Sequence, residues 1–197
     1  MFCLVQARTN SKRLPNKIFK KLGNLTIIER VFLKLRKSKK ISKIIFVTSK
    51  KRGDDAVEVF CREKGISFFR GSLNDVSLRF LKAVKKYKIN AFVRISCDSP
   101  LIDHKIIDKA VLIFKKKNKD LVTNIFPRTF PKGQSVEVVK SKILKENISD
   151  FKKSQKEHVT KYFYDNYKKF KIFNIRSKKN FLKIRLCVDT KKDLNFL

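Results

Sequence analysis

Fifty Lys and Arg against 17 Asp and Glu give this 197-residue chain a formal charge of +33. With 42% apolar residues and 18 Phe it has the material of a packed core, which excludes a disordered polycation, and its length suits one domain, 1–197, better than two. No apolar stretch approaches the ~20 residues that span a bilayer, and Met1 leads straight into an apolar run where a secretory signal would stand, so a cytoplasmic location without membrane partners is expected.

Residues 2–5 are apolar enough for a buried strand, and the Asn, Ser and Pro that follow end regular structure. The resulting loop carries Arg8, Lys12, Arg13 and Lys17 with Ser11 among them. Four cations and a neutral donor suit an anion, above all a triphosphate, which Arg grips as a fork and Lys as a point charge. The loop is neither a Walker A nor a Gly-x-Gly-x-x-Gly fingerprint, since the only nearby glycine is Gly23. Its weight comes from its place after the first strand and before a helix starting near Thr26, where open α/β sheets bind ligands.

That helix shows its apolar stripe at Ile27, Ile28, Val31 and Leu35. A strand over 44–47, a helix over 54–63 stopped by Gly65, and a short strand at Phe68 and Phe69 follow. Asn74 is expected to cap a helix over 75–86, and residues 91–96 form a fourth strand that ends at Cys97-Asp98. Asp103 opens a helix striped with Ile106, Ile107, Ala110, Val111 and Phe114, and 121–124 is a fifth strand. This alternation predicts an α/β fold, three-layer and doubly wound, on a mostly parallel sheet. Beyond it stand a loop over 124–133, a strand over 135–139, helices over 142–147 and 155–167, strands over 170–175 and 183–188, and a last helix opened by Asp189-Thr190.

Asp98 and Asp189 each sit where a predicted strand ends. If both strands lie parallel in one sheet, the carboxylates converge beside the cationic loop, and two carboxylates next to phosphates make a Mg²⁺ site. Each alone also fits an ordinary turn or helix cap. The lysines lie in short clusters, 37–43, 115–119 and 168–171, which fits solvated helix ends. A specific nucleic-acid partner is therefore not expected, although a nucleic-acid-binding module stays open as the alternative that the charge suggests. Cys3, Cys61, Cys97 and Cys187 show no paired spacing and read as reduced thiols.

Several further stretches complete a pattern. They are Gln6-Ala7-Arg8 through Ser11-Lys12-Arg13-Leu14-Pro15-Asn16-Lys17, Phe69-Arg70-Gly71-Ser72 with Asp75-Val76 and Arg79, and Val93-Arg94-Ile95 with Asp98-Ser99-Pro100-Leu101-Ile102-Asp103. After them come Arg128-Thr129-Phe130-Pro131-Lys132-Gly133, Val136-Glu137-Val138, Glu157-His158-Val159-Thr160 and Val188-Asp189-Thr190. In that order and spacing the chain resembles the cytidylyltransferases that make CMP-activated acidic sugars, of the CMP-sialic acid and CMP-Kdo synthetase kind, and most closely the spore-coat polysaccharide branch.

The resemblance implies a nucleotide-diphospho-sugar transferase-like Rossmannoid fold, with CTP and an acidic keto-deoxy sugar as partners, Mg²⁺ as cofactor and a homodimer allowed. It implies catalytic roles for Arg8, Lys17 and Asp98, and a nucleotide site of Gln6, Ala7, Arg8, Ser11, Arg13, Lys17, Arg70, Arg79 and Arg94. Arg94, inside a strand, equally suits an internal ion pair. The resemblance assigns Arg128, Lys132, Gln134 and Glu137 to the acceptor, and Asp98 and Asp189 to the metal. His158 reads either as a base or as a packed or surface histidine. A different base or acceptor is the alternative within the same chemistry. The chain departs from the pattern with Cys97 where the family usually has Gly, with Ser135 where the closest relatives carry Asp, and with a closing helix expected to be short.

Overall fold

The computed structural model describes residues 1–197. Strand β1 (Phe2–Gln6) runs into the cationic loop, which closes through a 3-10 turn, Lys17–Phe19, and the small hairpin β2 (Lys21–Leu22) and β3 (Leu25–Thr26). Helix α1 (Ile27–Arg36) follows. Its N-terminus is closed by a reciprocal box in which Thr26 accepts from the Glu29 N–H and the Glu29 carboxylate accepts from Thr26. Next come β4 (Lys43–Ser49), α2 (Asp55–Glu63), β5 (Ser67–Gly71), α3 (Val76–Lys86), β6 (Ala91–Ser96) and α4 (His104–Lys117). The cap of α3 is Asp75, which accepts from Leu78 N at 2.8 Å, one residue beyond the expected Asn74.

The second half holds β7 (Leu121–Thr123), β8 (Glu137–Lys140), α5 (Ser141–Asn147), α6 (Lys153–Lys156), α7 (Lys161–Asp165), β9 (Ile172–Asn174) and α8 (Lys191–Phe196). The sheet order is β5-β4-β1-β6-β8-β7-β9, parallel except for β8, which is antiparallel to both β6 and β7. Alternation along the strands splits the core into two layers. Cys3, Val5, Phe46, Val93 and Ile95 pack against α1, α2 and α4, while Leu4, Ile45, Val47 and Phe92 pack against α3, α5 and α7. The doubly wound, mostly parallel architecture is therefore the one expected from the sequence. No helix is long and apolar enough to cross a membrane.

Two expected elements take other forms. Residues 183–188 are not a sheet strand: Lys132 N donates to Ile184 O and Leu186 N to Lys132 O, an isolated bridge beside the Gly133 turn. Asp189 thus follows a loop instead of a strand. The expected helix over 155–167 is two short helices, α6 and α7. Between them the buried Thr160 directs its hydroxyl to Glu137 at 2.6 Å, a tertiary bond that competes with a continuous helix.

Candidate functional site

Parallel strands β1, β4 and β6 end at one edge, with Gln6 opposite both Val47 and Ser96. A cavity of about 540 Å³ opens there, between the cationic loop, the turn after β6 at Cys97 and Asp98, the turn at Leu73 and Asn74, and Asp189. This is where the topology of an open α/β sheet leaves room for a ligand.

The loop is anchored by one carboxylate. Asp54 is 1% exposed and accepts from Thr9 N (2.7 Å), Thr9 Oγ1 (2.8 Å), Ser49 N (3.2 Å) and Ser49 Oγ (2.5 Å). Burial pushes its pKa up, but the bonds from Ser49 and Thr9 outweigh that and hold it below the usual carboxylate range. Thr9 O in turn accepts from Ser11 N and Asn16 N, and Asn16 turns the chain in the left-handed conformation at φ 54°. Ser11 Oγ accepts from Leu14 N at 3.3 Å, which leaves its hydroxyl proton available to a ligand.

Asp98 and Asp189 do come together, and they meet on a side chain. Lys17 Nζ lies 2.8 Å from Asp98 Oδ2 and 2.9 Å from Asp189 Oδ1. Asp189 is brought beside Asp98 by a single backbone bond, Val188 N to Asp98 O at 2.9 Å. Its second oxygen accepts from Arg185 at 2.6 Å and lies 3.2 Å from Arg13. Burial depresses the Lys17 ammonium, yet Asp98 and Asp189 more than offset this and raise its pKa. Burial likewise pushes Asp189 up, and Lys17, Arg13 and Arg185 bring it below its ordinary value. Arg8 pairs with Glu157 across the mouth at 3.6 Å.

Beside this cavity lies a smaller one of about 300 Å³, and Ser96 and Asp98 line both. Arg94, Arg128, Lys132 and Glu137 line the smaller cavity. Arg128 donates to Ser135 Oγ at 2.9 Å and to Pro131 O at 3.4 Å. Arg94 ion-pairs with Glu137, which is 1% exposed and also accepts from Thr160 and Tyr164. Burial pushes the Glu137 carboxyl up, and Arg94 with the two hydroxyls brings it below the usual range.

Gln6, Arg8, Ser11, Arg13 and Lys17 line the larger cavity, whereas other expected members are engaged elsewhere. Arg70 clasps Asp55 (2.5 Å) and Glu58 (2.8 Å) and donates to Ser49 O, fastening β5 to α2 outside both cavities. Arg79 is fully buried and donates to Ser72 O at 3.0 Å; Nε and Nη2 have no partner, and burial lowers its pKa to about 10. Ala7 is buried, with its N–H bonded to Val47 O. Gln134 is a brace, accepting from Asp103 N at 2.8 Å and donating to Leu101 O at 2.6 Å. His158 is exposed and lines neither cavity.

Sequence reasoning missed Asn10, Asn74 and Glu157 as lining residues, Asp54 as the anchor of the loop, and Arg185 as a third cation on Asp189 beside Lys17 and Arg13. Arg185 left a signal in its four-residue spacing from Asp189 and eight-residue spacing from Asp193, and both carboxylates pair with it, while Glu157 stood in one of the matching stretches without a role.

The chain is 35% identical to the solved structure of a cytidylyltransferase from Leptospira borgpetersenii, at a TM-score of 0.92, covering 98% of this chain and 82% of that one. It is 28% identical to the spore coat polysaccharide biosynthesis protein SpsF of Bacillus subtilis, over 96% of this chain and 81% of the relative. A CMP:2-keto-3-deoxy-manno-octonic acid synthetase solved with CTP shares the fold at a TM-score of 0.72 and 15% identity, covering 99% of this chain and 95% of that one. The family model for cytidylyltransferases matches residues 2–197, so the chain belongs to the cytidylyltransferase family and is a nucleotidyltransferase.

Proposed function

We propose that this nucleotidyltransferase moves the cytidylyl group of CTP to an acidic keto-deoxy sugar, for surface polysaccharide synthesis, with Mg²⁺ as cofactor. The observation that carries this reading is the convergence of Asp98 and Asp189 on one cationic point, at the wall shared by a large cationic cavity and a smaller cavity lined by Arg128 and Lys132. SpsF, named for polysaccharide biosynthesis, and the fold shared with a CTP-bound acidic-sugar synthetase agree with it.

The residues present fit a metal ion. Two carboxylates already hold a cation between them, the Lys17 ammonium, and a hard ion with few protein ligands completes its shell with phosphate oxygens and water. When bound, Mg²⁺ would neutralise charge on the phosphates. Asp98 and Asp189 would hold it while Lys17 turns to the triphosphate.

Phosphoryl chemistry asks a protein chiefly for position and charge. Arg8, Arg13 and Lys17 grip the triphosphate, with Ser11 donating a hydrogen bond. Arg128 and Lys132 receive the sugar carboxylate and turn its anomeric hydroxyl toward Asp98. The hydroxyl oxygen bonds to the α-phosphorus, the bond from that phosphorus to the β-phosphate oxygen breaks, pyrophosphate leaves, and the hydroxyl proton goes to solvent.

Pyrophosphate release with CTP, Mg²⁺ and a panel of eight-carbon and nine-carbon keto-deoxy acids tests the proposal. Release that requires both CTP and one of the acids is expected; no turnover with any acid, together with no CTP binding, overturns it.

A further inference from the structure

A row of polar side chains crosses the sheet from one cavity to the other. Gln6, at the end of β1, lines the larger cavity, whereas Arg94 and Glu137, paired across the β6–β8 ladder, line the smaller. Arg94 Nη2 donates to Gln6 Oε1 at 2.8 Å, and Nη1 donates to Glu137. Thr160 and Tyr164 donate to the other oxygen of Glu137, so this carboxylate is fixed from behind. Arg94 Nε is buried without a partner, so its two Nη bonds hold the guanidinium in place.

A guanidinium has donors only. The Gln6 carboxamide must therefore turn its oxygen to Arg94 and its NH₂ the other way. Gln6 Nε2 bonds to no protein group and is not sealed from solvent, so it opens on the cavity beside Arg8, Ser96 and Asp98. A fixed donor in that place favours an oxygen acceptor on a ligand and disfavours a second donor.

We infer that Arg94, held by Glu137, is a positioning residue that locks the Gln6 carboxamide with its NH₂ toward the larger cavity, where it selects an oxygen acceptor on a bound substrate. This deepens and rests on the nucleotidyl-transfer reading. It also gives Arg94 and Glu137 a part toward the larger cavity that is not ligand contact: Arg94 spans Glu137 and Gln6 with its two Nη atoms, and the pair acts there through the amide. The selected oxygen belongs either to CTP or to the acceptor sugar, and the two sources are separable.

The test uses two replacements of Gln6 in the full chain. Gln6→Glu keeps an oxygen for Arg94 and turns an anionic oxygen, in place of a donor, into the cavity. Gln6→Met keeps the length and removes both groups. Calorimetric titration with CTP and the acceptor KM in the pyrophosphate assay are read side by side. The inference expects Gln6→Glu to weaken one of the two by about tenfold or more, with Gln6→Met in between. A change in CTP affinity places the oxygen on the nucleotide, and a change confined to acceptor KM places it on the sugar. Gln6→Glu within about twofold of wild type in both, or Gln6→Met worse than Gln6→Glu, overturns the inference.

If the wild-type chain neither binds CTP nor turns over a sugar, the functional reading fails by itself, and the positioning is still tested by unfolding. Arg94→Lys keeps a charge beside Glu137 and gives up the second arm of the fork, which favours folding. In a cycle with Gln6→Met the effects on the unfolding constant should be non-additive by about tenfold; additive effects overturn the positioning.

Discussion

Replacing Lys17 by Met should destabilise the protein and, at the same time, turn it into a better binder of Mg²⁺. Lys17 is 9% exposed, and its ammonium makes charge-assisted bonds of 2.8 and 2.9 Å to Asp98 and Asp189. Hydrogen bonds to charged groups contribute about 1.5–3 kcal/mol each, so two bonds bound the loss at about 3–6 kcal/mol. The carboxylates open on the cavity, where water reaches them, and Arg13 and Arg185 remain on Asp189 at 3.2 and 2.6 Å. Solvent and these remaining cations bring the expected loss below that bound, to about 2–3 kcal/mol, or roughly 4–12 °C in Tm for a chain of this size. The Lys17 pKa is raised, because its two carboxylates outweigh the depression by burial, so this stabilisation is complete at neutral pH and fades as pH climbs through that raised value; because Lys17 also lowers the Asp189 pKa, it is lost again in acid as pH falls through that lowered value. With the ammonium gone, two carboxylates face one point without a cation. Millimolar Mg²⁺ should then raise the Tm of Lys17→Met more than that of wild type, and should do little for Lys17→Met combined with Asp98→Asn. Thermal unfolding with and without Mg²⁺ measures both effects. A Lys17→Met protein as stable as wild type, or one indifferent to Mg²⁺, refutes the reasoning.

Three further outcomes follow from the geometry. Asp54→Asn leaves donors from Thr9 and Ser49 short of acceptors and should cost about 2–3 kcal/mol in urea unfolding while raising the KM for CTP. Because hydrogen bonds hold the Asp54 pKa below the ordinary range against burial, its contribution is present above that range and lost as pH falls through the depressed value; the variant should flatten the acid limb of stability against pH. Asp98→Asn or Asp189→Asn should abolish pyrophosphate release while leaving circular dichroism unchanged, and a fully active Asp189→Asn protein contradicts the metal assignment. Gly133→Ala places a methyl 2.4 Å from the Leu186 backbone at a φ of 96°, and should cost about 2–4 kcal/mol and raise acceptor KM by displacing Lys132; thermal unfolding and steady-state kinetics check it.

The first sheet layer was legible because its strands are short apolar runs followed by capped, striped helices: β1, β4, β6, α1 and α4 lie where the pattern puts them. The second half was harder for identifiable reasons. Ile184, Leu186 and Val188 alternate with polar residues as a strand would, but the partner that would continue the ladder is the Gly133 turn, and only an isolated bridge forms. The antiparallel direction of β8 depends on the long path from β7 and has no local signature. In the site, residue types were readable and partnerships were not. The meeting of Asp98 with Asp189 was inferred from two parallel strand ends, whereas it is achieved by the loop bond from Val188 N to Asp98 O with Lys17 between the carboxylates. Arg70 and Arg79 look in sequence like any other arginines of a phosphate site; what removes them from the cavity is the pairing of Arg70 with Asp55 and Glu58 and the burial of Arg79, which donates to Ser72 O, and only the packed structure shows either.

Soaking crystals with Mn²⁺ and a non-hydrolysable CTP analogue and locating the metal by anomalous scattering tests the central claim most directly. The account predicts one metal peak bonded to both Asp98 and Asp189, with the Lys17 ammonium moved onto the triphosphate. A triphosphate bound in the larger cavity with Lys17 still bridging the two carboxylates, and no metal between them, would contradict it.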